Sequence, residues 1–231
     1  LRLHDMLLTI REMRPGFMQD GQQVHVTTDL DFPRLWGLGT SSTLITLLAG
    51  WAGVDPYLLL DRTFGGSGYD IACATARSPI LYSRNGPVAQ IRPVNFHPPF
   101  LDALYLAFSG NKQDSGKETR EYLNRQTSSN TLIAEITEIS EALWQCDDLH
   151  AFQALLERHD QCVAALVNKE PVIRQFPDFK GYVKSLGAWG GDFLLFLFMD
   201  GKGELENYLA ARGIGPVYHF TDLLYTSAIV K

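Results

Sequence analysis

Two glycines at alternate positions, directly before an apolar segment with helical spacing, constrain this chain more than any other feature. They lie in the stretch Gly37-Leu38-Gly39-Thr40-Ser41-Ser42-Thr43, which leads into a helical run over residues 44–51. Because glycine has no Cβ atom, such a turn lets backbone N–H groups approach a ligand closely. The helix behind it adds unpaired N–H groups and the positive end of its dipole. The pattern predicts an anion site, typically for phosphate, although a tight turn that simply opens a helix looks the same.

Three consecutive hydroxyl side chains extend this prediction. Thr40, Ser41 and Ser42 follow the second glycine. Each hydroxyl can donate a hydrogen bond to a phosphate oxygen or supply an oxygen ligand for Mg²⁺. A phosphate site with a bound metal ion is therefore compatible with the turn.

Composition and charge exclude several classes of protein. The 231 residues carry a formal net charge of −6, and the lysines and arginines form no basic cluster. We therefore expect no nucleic-acid partner and no attraction to an anionic membrane. The longest strongly apolar run, residues 193–199, is far too short to cross a bilayer, and no signal peptide is visible.

The cysteines indicate a reducing compartment. Cys73, Cys146 and Cys162 are odd in number, widely spaced and without a C-x-x-C pair. This pattern is typical of reduced thiols in a cytoplasmic protein, and not of a disulfide or zinc framework.

Strands and helices are mixed without regular alternation, which predicts an α+β fold in two parts. Helices are predicted over residues 1–12, 41–52, 69–76, 131–145, 149–167 and 203–212, with others beginning at Asp55-Pro56 and at a capping box over 115–118. Strands are predicted over residues 23–32, 79–83, 90–96, 103–108, 192–199 and 217–220. Three prolines within residues 93–99 mark a junction, so we expect domains at 1–97 and 98–231.

Two further glycine-rich turns, over residues 65–70 and 187–191, follow the first in sequence. The segments to compare are Pro33-Arg-Leu-Trp-Gly37-Leu-Gly-Thr-Ser-Ser42, Gly66-Ser67-Gly68-Tyr69-Asp70 and Lys184-Ser-Leu-Gly187-Ala188-Trp189-Gly190-Gly191. They resemble, in order, P-x-x-x-G-L-G-S-S-A, P-S-G-x-D and K-x-[ST]-G-A-G-G-G of the GHMP kinases. That superfamily comprises galactokinase, homoserine kinase, mevalonate kinase and phosphomevalonate kinase. Residues 68–72, Gly-Tyr-Asp-Ile-Ala, are similar to a bacterial subfamily labelled by those letters.

The resemblance implies a two-part GHMP kinase fold, with a ribosomal protein S5 domain 2-like N-terminal part and a ferredoxin-like C-terminal part. It also implies a cytoplasmic enzyme, monomeric or homodimeric, that uses ATP and Mg²⁺ to phosphorylate a small-molecule acceptor. The P-S-G-x-D segment and residues 108–115, Phe-Ser-Gly-Asn-Lys-Gln-Asp-Ser, which resemble a segment of mevalonate and phosphomevalonate kinases, favour mevalonate or a related mevalonate-pathway acceptor. A sugar or homoserine acceptor remains an alternative.

The same resemblance assigns roles to residues. The ATP phosphates would lie on Gly37, Leu38, Gly39, Thr40, Ser41 and Ser42. A substrate and phosphate loop would comprise Ser67, Gly68, Gly187, Ala188, Gly190 and Gly191. Asp70 would accept the proton of the acceptor hydroxyl, and Mg²⁺ would be bound by Ser41, with Asp61 as the nearest acid before the second turn.

The sequence departs from the family pattern in three ways, of which the first two support a second hypothesis. Nothing between Leu1 and Asp31 resembles the first motif, a hairpin with a lysine near the phosphates, so we expect the family's first strands to be absent from this sequence. Asp61 is out of register, and Trp189 replaces a glycine. A non-catalytic nucleotide-binding homologue would also lack the lysine and the acid, and the residues encoded upstream of Leu1 distinguish the two hypotheses.

Overall fold

The computed structural model describes residues 2–19, 23–110, 130–187 and 192–224. The chain divides into two compact units. Unit 1 comprises Leu1–Arg34 and Leu38–Val94, and unit 2 comprises Leu35–Gly37 and Asn95–Lys231. Helices and antiparallel strands are mixed in the predicted α+β manner, and the chain passes between the units three residues before the predicted boundary at 97.

The described part of unit 1 contains four α-helices and one hairpin. The helices are α1 (Arg2–Met13), α2 (Thr40–Ala52), α3 (Pro56–Thr63) and α4 (Tyr69–Thr75), and the hairpin strands are β1 (Ile80–Asn85) and β2 (Val88–Pro93). Apolar residues on one face of each helix meet in a shared core that includes Met6, Ile10, Ile45, Leu59 and Ile71. Burial of these faces holds the helices together, since short helices are marginal in isolation.

The start of α3 shows how local chemistry specifies an element. Asp55 accepts a hydrogen bond from the backbone N–H of Leu58 at 2.8 Å, and Pro56 occupies the first helical turn. The carboxylate satisfies an otherwise unpaired donor, and the proline removes one such donor and presets φ. The helix therefore begins where the sequence predicts.

Unit 2 is built on a four-stranded antiparallel sheet. Its elements are β3 (Leu104–Phe108), α5 (Asn130–Leu143), α6 (Leu149–Val167), β4 (Tyr182–Ser185), β5 (Phe193–Leu197), α7 (Lys202–Ala210) and β6 (Val217–His219). The strand order is β4-β5-β3-β6. If the helical pair α5 and α6 counts as one crossover, the connectivity is the β-α-β-β-α-β arrangement of ferredoxin-like folds.

Helices cover both faces of this sheet. On one face Leu205 and Leu209 of α7 pack with Phe196. On the other, Phe152 and Leu156 of α6 pack with alternate residues of the same strands, such as Leu104, Leu106 and Leu195. All five residues of β5 are buried, because successive side chains point to opposite faces and both faces are covered.

Two predicted elements differ from the structure. Residues 23–30 are irregular and not a strand, and Val24 and Val26 are exposed, so their alternation has no buried face to support it. Residues 182–185, for which no strand is predicted, form β4, because Tyr182 and Val183 are buried against β5. The helix predicted from the capping box at 115–118 lies outside the described residues.

Gly181, directly before β4, tests the packing of the sheet. A Cβ atom there would collide with the carbonyl oxygen of Leu197 and lie 3.0 Å from the ring of Phe179. We expect Gly181→Ala to lower the free energy of unfolding by about 1–3 kcal/mol, because backbone cannot move aside cheaply. Urea denaturation of the whole protein measures the change.

The matched control is Gly203→Ala in α7, where a Cβ would meet nothing within 4 Å. Alanine favours the helix over glycine, so this variant should be unchanged or more stable by up to about 1 kcal/mol. Equal destabilisation of both variants would contradict the packing assigned to Gly181.

Candidate functional site

The first glycine turn has the backbone conformation that the sequence predicts. Gly37 and Gly39 have φ of 67° and 70°, in the left-handed region that favours glycine. Gly39 is the N-cap of α2, and no side chain caps that end of the helix. Within the described residues, the first N–H groups of α2 therefore have no intrahelical or side-chain acceptor, which is the arrangement that an anion site requires.

The predicted phosphate-binding hydroxyls differ in availability. The hydroxyls of Ser42 and Thr43 donate to the carbonyl oxygen of Gly39 at 2.7 and 3.0 Å. Ser42 is buried and Ser41 is exposed, with Thr40 half-buried between these extremes. Thr40 and Ser41 are the hydroxyls that remain for a ligand, since the Ser42 proton is already committed to the helix.

Gly37 belongs to unit 2, where it packs against an acid that the sequence reasoning missed. A Cβ atom on Gly37 would collide with the carboxylate of Asp192. Asp192 follows the third glycine turn directly, and its carbonyl oxygen accepts from the N–H of Ser109 at 2.9 Å. The position of Asp192 directly after the third glycine turn is the feature of the sequence that could have identified it. The acid beside Gly37 is thus Asp192.

The second glycine turn is fixed by the hairpin of unit 1. Gly68, with φ of 79°, is the N-cap of α4, and a Cβ there would lie 3.0 Å from the ring of Tyr57. The hydroxyl of Tyr82 donates to the carbonyl oxygen of Ser67 at 2.7 Å. Arg84 donates to the same carbonyl and to that of Gly66 at 3.5 and 3.4 Å. These contacts from β1 hold the two carbonyls before α4.

Asp61 lies beside this turn as the partner of Arg84. Its carboxylate accepts from Nη2 of Arg84 at 2.6 Å, and the Arg84 side chain is only 11% exposed. The hydrogen bond with Asp61 raises the pKa of Arg84. Because Asp61 already neutralises a cation, binding Mg²⁺ would require it to leave that ion pair. Within the described residues, no group of three or more His, Cys, Asp or Glu side chains could hold a metal ion.

Asp70 lies in the first turn of α4 and is exposed. Desolvation raises its pKa above the ordinary value for aspartate, and an interaction with the Tyr69 hydroxyl partly offsets that rise. Ile71, the next residue, packs with Ile45 of α2 in the core of unit 1. The helix that carries Asp70 and the helix behind the first turn are therefore parts of one packed body.

The third glycine turn is described only at its start. Gly187 has φ of 72° and is exposed, whereas Ala188, Gly190 and Gly191 lie outside the described residues. The N–H of Leu186 donates to the carbonyl oxygen of Phe193 at 3.0 Å, directly before and after this segment. The turn therefore connects two neighbouring antiparallel strands, β4 and β5.

A charged cluster anchors β4 to α6. Asp160 is 8% exposed and accepts from Lys184 and, at 2.7 Å, from the hydroxyl of Tyr182. Nζ of Lys184 also lies 3.0 Å from Nδ1 of His159. Burial opposes ionisation of Asp160, but the contacts with His159, Lys184 and Tyr182 outweigh it and lower the pKa of Asp160. Asp160 follows Phe152 and Leu156 at four-residue spacing on the buried face of α6. This spacing is the feature of the sequence that could have identified Asp160 as a buried acid.

The role of Arg84 in shaping the second turn is testable. We expect Arg84→Met to increase amide hydrogen exchange over residues 66–70 about tenfold or more, because charged hydrogen bonds to two carbonyls are lost. Arg62→Met, on the exposed surface of α3, is the control and should leave exchange in this segment unchanged. Equal exchange in the two variants would show that the turn does not depend on Arg84.

The Asp160–Lys184 pair predicts both a coupling and a pH dependence. Either Asp160→Leu or Lys184→Met alone should cost about 3–5 kcal/mol, because a buried charge loses its partner, whereas the double variant should cost less than either. The pKa of Asp160 is lowered in the folded state, so its contribution is present above the ordinary aspartate pKa and is lost as the pH falls through the folded value.

Denaturation of the four proteins between acidic and neutral pH measures both effects. Glu135→Ala, which breaks the exposed pair with Arg158, is the control and should cost no more than about 1 kcal/mol. Additive costs for the two buried substitutions would rule out the coupling.

Comparisons with known proteins support the fold alone. No protein-family model matches the chain, and no curated protein matches it. A solved structure described as "Crystal structure of a Lin0012 protein from Listeria innocua" is similar, with a TM-score of 0.55 and 16% sequence identity. The similarity covers 79% of this chain and 68% of that one. Among the described helices, none combines the length and apolarity needed to span a membrane.

Proposed function

We propose that the protein is an ATP-dependent small-molecule kinase of the GHMP type, with mevalonate or a related mevalonate-pathway compound as acceptor. The observation that carries the proposal is the uncapped N-terminus of α2 behind a left-handed Gly39. Its backbone N–H groups, the helix dipole and the Thr40 and Ser41 hydroxyls form a set of donors suited to phosphate oxygens. In this proposal they hold the phosphates of ATP.

The residues near the first turn also fit a metal ion bound through the phosphates. Ser41 is exposed and supplies a hydroxyl oxygen. Mg²⁺ prefers such hard oxygen ligands and usually keeps several waters and phosphate oxygens. When bound, it would neutralise the charge of the phosphates during transfer. Asp61 remains the acid that the resemblance suggests, and it would have to leave its ion pair with Arg84 to bind the metal ion.

Asp70 has the properties of a proton acceptor for the substrate hydroxyl. The residue is exposed, but desolvation of its carboxyl group raises the pKa of Asp70 above the ordinary value for aspartate, which improves a general base. The position in the first turn of α4 also suits a purely structural acid, because the helix dipole stabilises a negative charge there. A conservative substitution distinguishes these roles.

A non-catalytic nucleotide-binding protein is the second candidate. It is favoured by the ion pair that occupies Asp61 and by the commitment of the Ser42 hydroxyl to the Gly39 carbonyl. These interactions occupy groups that the family resemblance assigns to Mg²⁺ binding and to phosphate binding, respectively. In that case the protein would bind Mg·ATP and release no ADP with any acceptor, including a sugar or homoserine.

Nucleotide binding is tested first. Saturating Mg·ATP should raise the melting temperature of the full-length protein, because a ligand that binds only the folded state stabilises it. Gly39→Val should abolish the rise, since its side chain would crowd the turn. The matched control is the same substitution at Gly50, a residue of α2 where a Cβ meets nothing within 4 Å. A shift that survives in the Gly39→Val protein would place the nucleotide elsewhere.

Strain at Gly39 is separated from ligand contact by a second variant. Asparagine tolerates left-handed φ better than valine does, so Gly39→Asn should fold more stably than Gly39→Val and still lose most of the nucleotide shift. If Gly39→Asn responds to Mg·ATP as the wild type does, the side chain at this position does not face the nucleotide.

Catalysis is tested by ADP release with mevalonate, phosphomevalonate, homoserine and galactose. We expect mevalonate or phosphomevalonate to give the fastest release and Asp70→Asn to lower turnover by ~10²–10⁴ with little change in ATP affinity. Because the base must be ionised, wild-type turnover should fall as the pH drops through the raised pKa of Asp70. Near-normal turnover in folded Asp70→Asn would make Asp70 a structural residue.

A further inference from the structure

A cavity in unit 2 has no role in the proposed kinase reaction. Its volume is about 520 Å³. It is lined by the C-terminal half of α6, the end of β4, residues 169–176 after α6 and residues 212–214 after α7. None of its lining residues belongs to the predicted nucleotide, acceptor or metal site. The volume is within the range of small-molecule sites.

One wall of this cavity is apolar. It is formed by Val163 and Val167 of α6, Leu194 of β5 and Ile214. Val167 and Leu194 are buried, and Val163 and Ile214 are half-buried. A ligand with an apolar body would remove this wall from water, which is favourable in proportion to the area covered.

The charged residues around the cavity already have partners. Asp160 pairs with Lys184, Glu170 with Arg174, and Arg212 with Asp178 through its Nη2 atom at 2.8 and 2.9 Å. Lys169 also has an interaction partner. Asp160, Glu170 and Arg212 are thus each paired within the protein, so a charged ligand would have to compete with an existing partner for its counter-ion.

Two neutral polar side chains of the cavity are different. The hydroxyl of Ser185 and the amide of Gln175 make no hydrogen bond within the described part of the chain. Ser185 is half-buried at the end of β4, and Gln175 is exposed at the rim. Each can both donate and accept, so together they complement a group that also does both.

We propose that this cavity binds a small uncharged amphipathic molecule, with an apolar body against α6 and a neutral amide or alcohol group at Ser185 and Gln175. The site does not depend on the nucleotide, and it would exist in either of the two functional hypotheses above. Selection against charge follows from the compensated ion pairs, and selection for polarity at one end follows from the two available side chains.

The test uses hexanamide as the probe, with hexanoate and hexylammonium as charged analogues of the same length. Saturation-transfer NMR on the full-length protein without nucleotide measures the affinity of each compound. We expect hexanamide to bind at least tenfold more tightly than either analogue, because each charged group would be desolvated and would have to compete with an existing partner for its counter-ion. Comparable binding of hexanoate or hexylammonium would overturn the proposed ligand class.

Matched substitutions on α6 locate the binding. Ala164 lines the cavity, whereas its neighbour Ala165 is exposed and does not. Ala164→Phe should weaken hexanamide binding at least tenfold by filling the space, and Ala165→Phe should change it less than about twofold. Equal effects of the two variants, or no detectable binding to the wild type, would refute the site.

If Ala164→Phe does not fold, Ser185→Ala provides an independent test of the site. It removes one neutral hydrogen bond, so hexanamide affinity should fall about fivefold, while affinity for hexane-like apolar compounds should not. An unchanged hexanamide affinity in folded Ser185→Ala would show that Ser185 does not bind the polar group, which would refute the proposal.

Discussion

The burial of β5 on both faces is the constraint on which unit 2 depends. Phe193–Leu197 is the second strand of the sheet, paired with β4 on one side and β3 on the other. Its side chains belong alternately to the two cores, so α6 and α7 both pack against it. Full burial of each large apolar side chain contributes about 1.5–3 kcal/mol. Because Asp192 directly precedes β5 and the Lys184 strand lies beside it, this strand also positions the acidic and cationic groups discussed above.

Unit 1 depends instead on the packing of short helices. Each of α2, α3 and α4 begins at a residue that adopts a special backbone conformation or supplies a cap: Gly39, Asp55 and Gly68. The two glycine caps leave N-terminal N–H groups without a side-chain acceptor, whereas Asp55 satisfies one. Because Asp55 already satisfies a donor at the start of α3 and Gly39 satisfies none at the start of α2, the proposal places phosphate at α2 and not at α3.

Polar groups beside the glycine turns are arranged by contacts between distant parts of the sequence. Arg84 reaches from β1 to the carbonyls of the second turn and to Asp61. Asp192 reaches Gly37 across more than half of the chain, within unit 2. The contact with Arg84 changes the chemistry expected of Asp61, because its carboxylate is already the partner of a cation.

Local signals in the sequence determined most elements by themselves. The capped start of α3, the left-handed glycines before α2 and α4, and the limits of α6 follow from caps, turns and apolar spacing within a few residues. The α+β class follows from the mixture of those elements. Roles assigned through the family resemblance, including those of Asp70 and Ser41, remain predictions.

Only the tertiary structure decided which extended segments became strands and which polar groups met. Residues 23–30 alternate in polarity but have no buried face, whereas residues 182–185 form β4 because β5 lies beside them. The Asp160–Lys184 pair joins residues 24 positions apart, and no local pattern specifies such a pairing. Strand pairing and buried ion pairs depend on groups far apart in sequence, so their energies arise only when the chain has folded around them.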